Sequence, residues 1–259
     1  MRILFIGDVI GRPGRRAVET LLPSLRHDYS IDLVIANGEN VAGGFGLTSK
    51  TAQELLRSGV NVITSGNHIW DQQEIINHMN GELPILRPIN YPKVVPGQGY
   101  QIFDHNGHSV VVANAIGRVF VGNFDDPFTS MDELLDMLES KPKIILLDFH
   151  AEATSEKAAL AWYLDGRVSA LVGTHTHVAT ADCRILPKGT AFASDAGMTG
   201  PINSIIGSKP EDVLTRFLTQ MPHRLNIASG PVQFNSVLVD VDEETGSARE
   251  IFRIDRELE

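Results

Sequence analysis

Short apolar runs, each followed by a loop that carries polar side chains, constrain the fold of this chain most strongly. The runs cover residues 3–6, 31–36, 60–64, 143–149 and 168–172. Continuous apolar runs of this length are typical of strands that are buried on both faces of a sheet. Helical patterns lie between several runs, at residues 13–26, 48–58 and 155–164. Strands that alternate with helices predict a layered α/β fold.

Two further segments predict hairpins, and two predict helix starts. Residues 100–103 and 109–113 flank Asn106-Gly107, a strong turn signal, and residues 232–241 and 248–254 form an alternating pair at the end of the sequence. Capping boxes at residues 130–133 and 208–211 predict helices, the first of which extends to about Glu139. We expect one domain over residues 1–259, because no linker or repeat divides the sequence.

Charge and composition exclude several classes of function. The formal net charge is -10, and there is no basic cluster of the kind that duplex-binding proteins use to neutralise phosphates. We therefore expect small substrates and no duplex nucleic acid. The single cysteine, Cys183, excludes a Cys-rich zinc site. No apolar run approaches the roughly 20 residues that span a membrane, so we expect a cytoplasmic protein without a membrane partner.

The polar residues that follow the apolar runs indicate a metal site. They are Asp8, Glu39, Asn40, Asn67, His68, His150, His175 and His177. Ligands of open α/β sheets bind beyond the carboxyl ends of the strands, so these side chains are expected to converge. Mixed oxygen and nitrogen donors without thiolate suit manganese, iron or zinc. Two ions need a shared anionic bridge, for which the central carboxylate of Glu39 is the candidate.

The same residues resemble the motifs of a known family. Gly7-Asp8, Asn37-Gly-Glu39-Asn40, Gly66-Asn67-His68, His150 and Gly173-Thr-His175-Thr-His177 resemble the five motifs of the calcineurin-like metallophosphoesterase superfamily. Segments such as 148–157, 184–190 and 197–201 are similar to its bacterial YmdB-like branch. The resemblance implies an α/β/β/α sandwich, in which helices flank two sheets, with a hairpin insertion.

The resemblance also implies a ligand set. One metal would be held by Asp8, Glu39, Asn40 and His177, and the other by Glu39, Asn67, His150 and His175. Compared with the superfamily, Asp8-Val9-Ile10 lacks the histidine of Asp-x-His, and Glu39 replaces the usual bridging aspartate. We read Asn40 as the replacement for the lost histidine. Iron or manganese is favoured and zinc stays open.

The expected reaction is two-metal hydrolysis of phosphodiesters, with 2′,3′-cyclic nucleotides as the favoured class. A metal-bridging hydroxide would attack phosphorus, and His68 would act as general acid. Alternatives are a nucleotide-sensing regulatory metalloprotein with little turnover, or a phosphomonoesterase. The sequence leaves open the oligomeric state, including a homo-oligomer, and a supporting role for Asp71. It also leaves open phosphate contacts by Arg12, Arg15 and Arg16 and base stacking by Phe45, Trp70 or Phe120.

Overall fold

A computed structural model describes residues 1–138 and 142–259. Within these residues the strands are, in chain order, Arg2–Ile6 (β1), Asp8–Val9 (β2), Leu33–Asn37 (β3), Val62–Thr64 (β4), Tyr100–His105 (β5), His108–Ile116 (β6), Ile144–His150 (β7), Ala170–Thr174 (β8), Arg184–Ile185 (β9), Ala191–Ala193 (β10), Met198–Pro201 (β11), Val232–Phe234 (β12), Ser236–Val241 (β13), Ala248–Arg253 (β14) and Arg256–Leu258 (β15). The helices are Gly11–Asp28 (α1), Ser49–Arg57 (α2), Pro127–Met137 (α3), Thr154–Tyr163 (α4) and Pro210–Thr219 (α5), with a 3₁₀ helix at Gln73–His78.

Two large sheets pack face to face, and helices cover their outer faces. The first sheet has the order β14-β13-β1-β3-β4, and the second has the order β5-β6-β7-β8-β10-β9. One apolar cluster lies between the sheets, a second lies between the first sheet and α1 and α2, and a third lies between the second sheet and α3 and α4. The layers therefore follow the α/β/β/α order. The hairpin predicted around Asn106-Gly107 is present and forms one edge of the second sheet.

Strand β1 shows why the apolar runs become strands with both faces buried. Its side chains alternate between the two faces, as the period of two in a strand requires. Ile3 and Phe5 enter the cluster between the sheets, while Leu4 and Ile6 enter the cluster with α1 and α2. Because β1, β3 and β4 are parallel, their carboxyl ends meet at one edge, and β6, β7 and β8 are parallel in the second sheet.

A small third sheet, with the order β15-β12-β11-β2, fixes the segment that follows β1. Strand β2 pairs in parallel with β11, so that Asp8 lies opposite Met198. The backbone N–H of Asp8 donates to the carbonyl of Gly197 at 3.0 Å. This sheet therefore holds the Asp8 backbone at the point where the chain leaves the first sheet.

Two of the predicted strands begin two residues later than expected, at Leu33 and Val62. The apolar residues before them, Ile31 and Val60, complete the ends of α1 and α2. The N–H of Ile31 donates to the carbonyl of Arg26 at 3.0 Å, and that of Val60 donates to the carbonyl of Leu55 at 3.2 Å. These are the bonds of Schellman motifs, in which an apolar residue after the left-handed position packs back on the helix.

Both capping-box predictions named the wrong N-cap residue. Helix α3 begins at Pro127, with Asp126 as its N-cap in place of Ser130, because Asp126 accepts from the N–H of Phe128 and proline suits the first helical position. Its predicted end near Glu139 lies outside the described residues. Helix α5 begins at Pro210, inside the predicted box, but Lys209 is its N-cap in place of Ser208 and no side chain caps it. Ser208 instead pairs with Ile205 and Ile227 through its backbone.

The tail hairpin is present as β13 and β14, which pair antiparallel beside β1. Strand β12, which the sequence pattern joined to β13, belongs to the third sheet. Among residues 1–138 and 142–259, no helix combines the length and apolar character that a membrane crossing requires.

Candidate metal centre

The carboxyl ends of strands from both large sheets meet at one cavity. Asp8 follows β1, and Glu39 and Asn40 follow β3. Asn67 and His68 follow β4, His150 is the last residue of β7, and His175 and His177 follow β8. The structure brings all eight candidate residues together in one connected set of contacts. Five of the eight line a cavity of about 900 Å³, namely Glu39, Asn40, His68, His175 and His177.

The first group of donor atoms lies between Asp8, Asn40 and His177. The Nε2 atom of His177 is 3.6 Å from Asp8 Oδ1 and 3.3 Å from Asn40 Nδ2. That same amide nitrogen is 3.4 Å from Glu39 Oε1 and 3.5 Å from Asp8 Oδ1. Two carboxylate oxygens and one imidazole nitrogen, all of them possible metal ligands, therefore surround one NH₂ group, at a point that suits a cation. Reversal of the amide would direct its oxygen, a metal ligand, to the same point.

The second group of donor atoms surrounds the Nε2 atom of His150. This atom is 3.0 Å from Glu39 Oε1, 3.2 Å from Asn67 Oδ1 and 3.0 Å from His175 Nδ1. Glu39, His150 and His175 each place a ligand atom within 4.8 Å of the others. Oε1 of Glu39 lies in both groups, so one carboxylate oxygen connects them.

The hydrogen bonds behind His150 decide which ring nitrogen carries the proton when the ring is neutral. The hydroxyl of Thr174 donates its only hydrogen to Asp148 Oδ1 at 2.7 Å. Oγ1 of Thr174 must therefore accept from His150 Nδ1, which is 2.9 Å away. The proton of a neutral ring then lies on Nδ1, and Nε2 presents a lone pair to three other acceptors. Four acceptor atoms in such close contact fit a bound metal ion.

The other two histidines are oriented in the same way by groups that are not among the proposed ligands. Nδ1 of His177 donates to the carbonyl of Ile206 at 2.9 Å, which leaves Nε2 free to bind a metal. Nε2 of His175 lies 3.2 Å from Glu152 Oε2, so Nδ1 faces the site. Both histidines have positive φ, at 100° for His175 and 63° for His177. Residues other than glycine seldom adopt positive φ, and backbone strain of this kind is concentrated at functional sites.

The electrostatics of the site favour positive charge. Burial raises the pKa of Asp8, but the charges of His177 and His150 outweigh it and hold that pKa well below its usual range. For Glu39 burial also opposes ionisation, and His150 lowers its pKa overall. Burial lowers the pKa of His177, yet Asp8 outweighs burial and raises it to about 9. Burial and repulsion from His150 lower the pKa of His175 to about 4, so His175 is a neutral ligand candidate.

Gly66 provides the space that the second group requires. A Cβ atom at this position would lie 2.1 Å from Cδ2 and 2.3 Å from Nε2 of His150. Only glycine lets the backbone after β4 pass this close to the imidazole ring. The glycine before Asn67 therefore allows a ligand candidate from the first sheet to reach one from the second.

The sequence and fold match one protein family over almost the whole chain. The model of the family described as YmdB-like protein matches residues 4–254. The chain belongs to the YmdB-like family. The resemblance found in the sequence motifs is thus confirmed.

Relatives of this YmdB-like protein are known by sequence and by structure. The 2′,3′-cyclic-nucleotide 2′-phosphodiesterase of Bacillus subtilis is 48% identical over 254 residues, which cover 98% of this chain and 96% of the relative. A solved hypothetical protein from Thermus thermophilus has a TM-score of 0.94 at 45% identity and covers 99% of both chains. A solved structure described as a novel phosphatase, from Mycoplasma pneumoniae, has a TM-score of 0.94 at 34% identity and covers 99% of this chain and 93% of the other.

His68 lies beside the donor groups of the YmdB-like protein and lines the cavity. Its backbone N–H donates to Glu39 Oε2 at 3.0 Å, which connects the loop after β4 to the shared carboxylate. Its Nδ1 is 2.7 Å from Asp71 Oδ2, so Asp71 orients the ring and leaves Nε2 for proton transfer. The ring of Phe45 packs edge-on against His68 at 5.2 Å between centroids.

Most of the other polar and aromatic candidates lie away from the cavity. Of the three aromatic candidates, Phe45, Trp70 and Phe120, only Phe45 is among the described residues that line it. Trp70 packs on Tyr91 instead, and Phe120 is 90% exposed. None of the three arginines near the N-terminus lines the cavity either. Arg15, for example, is paired with Glu54 at 2.6 Å.

Sequence reasoning missed the residues that hold the ligand candidates in place. Asp148, fully buried two residues before His150, shares its face of β7, and burial raises its pKa to about 6. Lys157 is also fully buried, and its Nζ donates to Asp195 Oδ2 at 2.8 Å and to the carbonyl of Thr174 at 2.9 Å. The period of two in β7 could have indicated Asp148. The pairing of Lys157 with Asp195, which spans 38 residues, has no sequence signal.

Proposed function

We propose that this YmdB-like protein hydrolyses phosphodiesters with two bound metal ions, and that 2′,3′-cyclic nucleotides are its substrates. The observation that carries this proposal is the pair of acceptor-rich donor groups that share Oε1 of Glu39 at the edge of a large cavity. The name of the Bacillus subtilis relative supports the substrate class.

The proposed ligands follow the two groups of donor atoms. Asp8, Glu39, Asn40 and His177 would hold one ion, and Glu39, Asn67, His150 and His175 the other. Oxygen donors with few nitrogens favour iron or manganese, while zinc is also compatible with this set. When bound, the two ions would neutralise charge on the phosphate oxygens and lower the pKa of a nearby water.

His68 supplies the proton that the leaving group needs. In the proposed reaction a water oxygen forms a bond to phosphorus and the P–O2′ bond breaks, which yields a nucleoside 3′-phosphate. The departing O2′ takes a proton from His68 Nε2, and the proton from water passes to solvent. Because Asp71 accepts from Nδ1 at 2.7 Å, the imidazole keeps a fixed orientation during this transfer. General-acid catalysis of this kind typically contributes about 10²–10⁴ in rate.

Product analysis tests the proposal directly. Purified protein loaded with Mn²⁺ or Fe²⁺ is incubated with 2′,3′-cyclic nucleotides, and the products are resolved by ³¹P NMR. We expect nucleoside 3′-phosphate, loss of turnover after chelation, and recovery when metal is restored. Full activity in the chelated protein would contradict the metal-dependent reaction. Tight nucleotide binding without product would favour the sensor alternative, and faster turnover of monoesters would favour a phosphomonoesterase.

Several expectations accompany this proposal as predictions. We predict one domain over residues 1–259, a cytoplasmic location, and no duplex nucleic acid or membrane partner. A homo-oligomer is compatible with the proposed reaction, which uses residues of a single chain. Size-exclusion chromatography with light scattering measures the oligomeric state.

A further inference from the structure

The cavity extends well beyond the proposed metal ligands, and its far wall is largely apolar. That wall is formed by residues 205–227, which include α5 and the loops on either side of it. The apolar residues of the wall include Ile205, Ile206, Val213, Phe217, Leu225 and Ile227. A volume of about 900 Å³ is far larger than a cyclic phosphate needs. Ligand cavities of this size commonly bind a molecule with a substantial apolar body.

Apolar side chains on the cavity wall are exposed to water. Phe217 is 77% exposed and Ile206 is 53% exposed, and both line the cavity. Val213 is the one buried residue of α5, so the helix rests on the protein through few side chains. A flat aromatic ligand would cover the face of Phe217, and such contacts stabilise beyond the area they bury.

The same wall carries a cation without a partner. Arg216 lines the cavity, and within the described part of the chain its guanidinium makes no hydrogen bond and no ion pair. The acid one turn earlier, Asp212, is already engaged. Its Oδ2 accepts from Asn226 N at 3.0 Å and from Asn226 Nδ2 at 2.8 Å, and its Oδ1 lies 3.1 Å from His223 Nε2. Arg216 is therefore free to donate to a ligand.

We propose that residues 205–227 form a nucleobase subsite, in which Phe217 stacks on the base and Arg216 donates to acceptor atoms on its edge. Stacking recognises the flat face that every base has, and a guanidinium fits paired acceptors on a base edge. The inference rests on the proposed function and adds that the base, in addition to the cyclic phosphate, is recognised. The protein therefore discriminates nucleoside cyclic phosphates from cyclic phosphates without a base.

The test compares a nucleoside 2′,3′-cyclic phosphate with methyl riboside 2′,3′-cyclic phosphate, which lacks the base. The measured quantity is the ratio of the two kcat/KM values for the metal-loaded wild type and for two variants, Phe217→Ala and Arg216→Met. We expect a wild-type ratio of about 100, and each variant to lower it about tenfold, since stacking and edge contacts each contribute about tenfold. Leu218→Ala is the matched control, because Leu218 is 83% exposed on the same helix and does not line the cavity.

The outcomes separate this inference from the function on which it rests. A ratio near one in the wild type would refute base recognition, although turnover of both compounds would still support the proposed hydrolysis. Equal losses on both compounds in Arg216→Met would place the guanidinium on the phosphate and refute its role at the base. A lowered ratio in Leu218→Ala would attribute the effect to the helix as a whole and refute the role of Phe217. No turnover of either compound by the wild type would refute the proposed function itself.

Discussion

Replacing Lys157 with methionine removes one charge from a buried pair that holds the ligand-bearing loop. Nζ of Lys157 donates to Asp195 Oδ2 at 2.8 Å, and both side chains are at most 1% exposed. The same carboxylate oxygen accepts from the N–H of Thr176 at 3.1 Å and from its hydroxyl at 2.8 Å. Thr176 lies between His175 and His177, so the pair fixes the backbone that carries two proposed ligands. Methionine keeps most of the length of the side chain and removes the charge.

The size of the effect follows from what Asp195 loses and keeps. Breaking a buried ion pair by removing one partner costs about 3–5 kcal/mol, because the remaining charge is uncompensated. Asp195 still accepts from Thr176 and from the N–H of Gly197 at 2.8 Å, so we take the lower end of this range. The expected loss is about 3 kcal/mol in the free energy of unfolding, out of about 5–15 kcal/mol for an ordinary protein. Metal affinity is expected to fall about 10–100-fold, as it does when residues that orient ligands are changed.

Two measurements on the purified variant test this reasoning. Urea unfolding of the metal-free protein gives the free energy of unfolding, and competition with a chelator gives metal affinity. Lys143→Met is the matched control. Its Nζ lies 3.4 Å from Glu244 Oε2 in an exposed ion pair, and exposed pairs contribute about 0–1 kcal/mol to the free energy of unfolding. If the free energy of unfolding of Lys157→Met lies within about 1 kcal/mol of that of the control, and both bind metal equally well, then the Lys157–Asp195 pair does not position the loop that carries His175 and His177.

Three further predictions concern the metal centre. His68→Ala should keep both metals and lose about 10²–10⁴ in kcat, and metal loss in this variant would refute its role as proton donor. Glu39→Ala should lower metal content and activity together, because one oxygen connects both donor groups, and elemental analysis that found two metals retained would refute the shared ligand. Gly66→Ala should displace the ring of His150, whose Cδ2 lies 2.1 Å from the added Cβ, and so lower the metal affinity measured by chelator competition. An affinity equal to that of the wild type would contradict this close approach.

The layers of the fold and the convergence of the ligand candidates could be predicted because both depend on local pattern. Apolar runs specify strands, and parallel strands deliver their last residues to one edge, so Asp8 and His150 could be placed together without a structure. Boundaries were less predictable where an apolar residue serves a helix. Ile31 and Val60 look like strand residues in the sequence, but tertiary packing uses them to close α1 and α2.

The supporting residues could not be predicted, because their roles depend on contacts between distant segments. Lys157 lies in α4 and would be taken for a surface residue, yet it is fully buried and reaches Asp195. Ser208 shows a different kind of failure. Its capping-box pattern correctly predicts a helix nearby, but Ser208 is not the residue that caps it. Its backbone pairs with Ile205 and Ile227, which leaves Lys209 as the N-cap.

The hydrogen bond from His177 to the carbonyl of Ile206 limits how this protein can diverge. Ile206 belongs to the apolar wall of the cavity, while His177 belongs to the first donor group. An insertion or deletion in that loop would change the shape of the wall and move the imidazole at the same time. New substrate preferences can therefore arise most readily through side-chain exchanges on α5, whose backbone has no such hydrogen bond to a proposed metal ligand within the described residues.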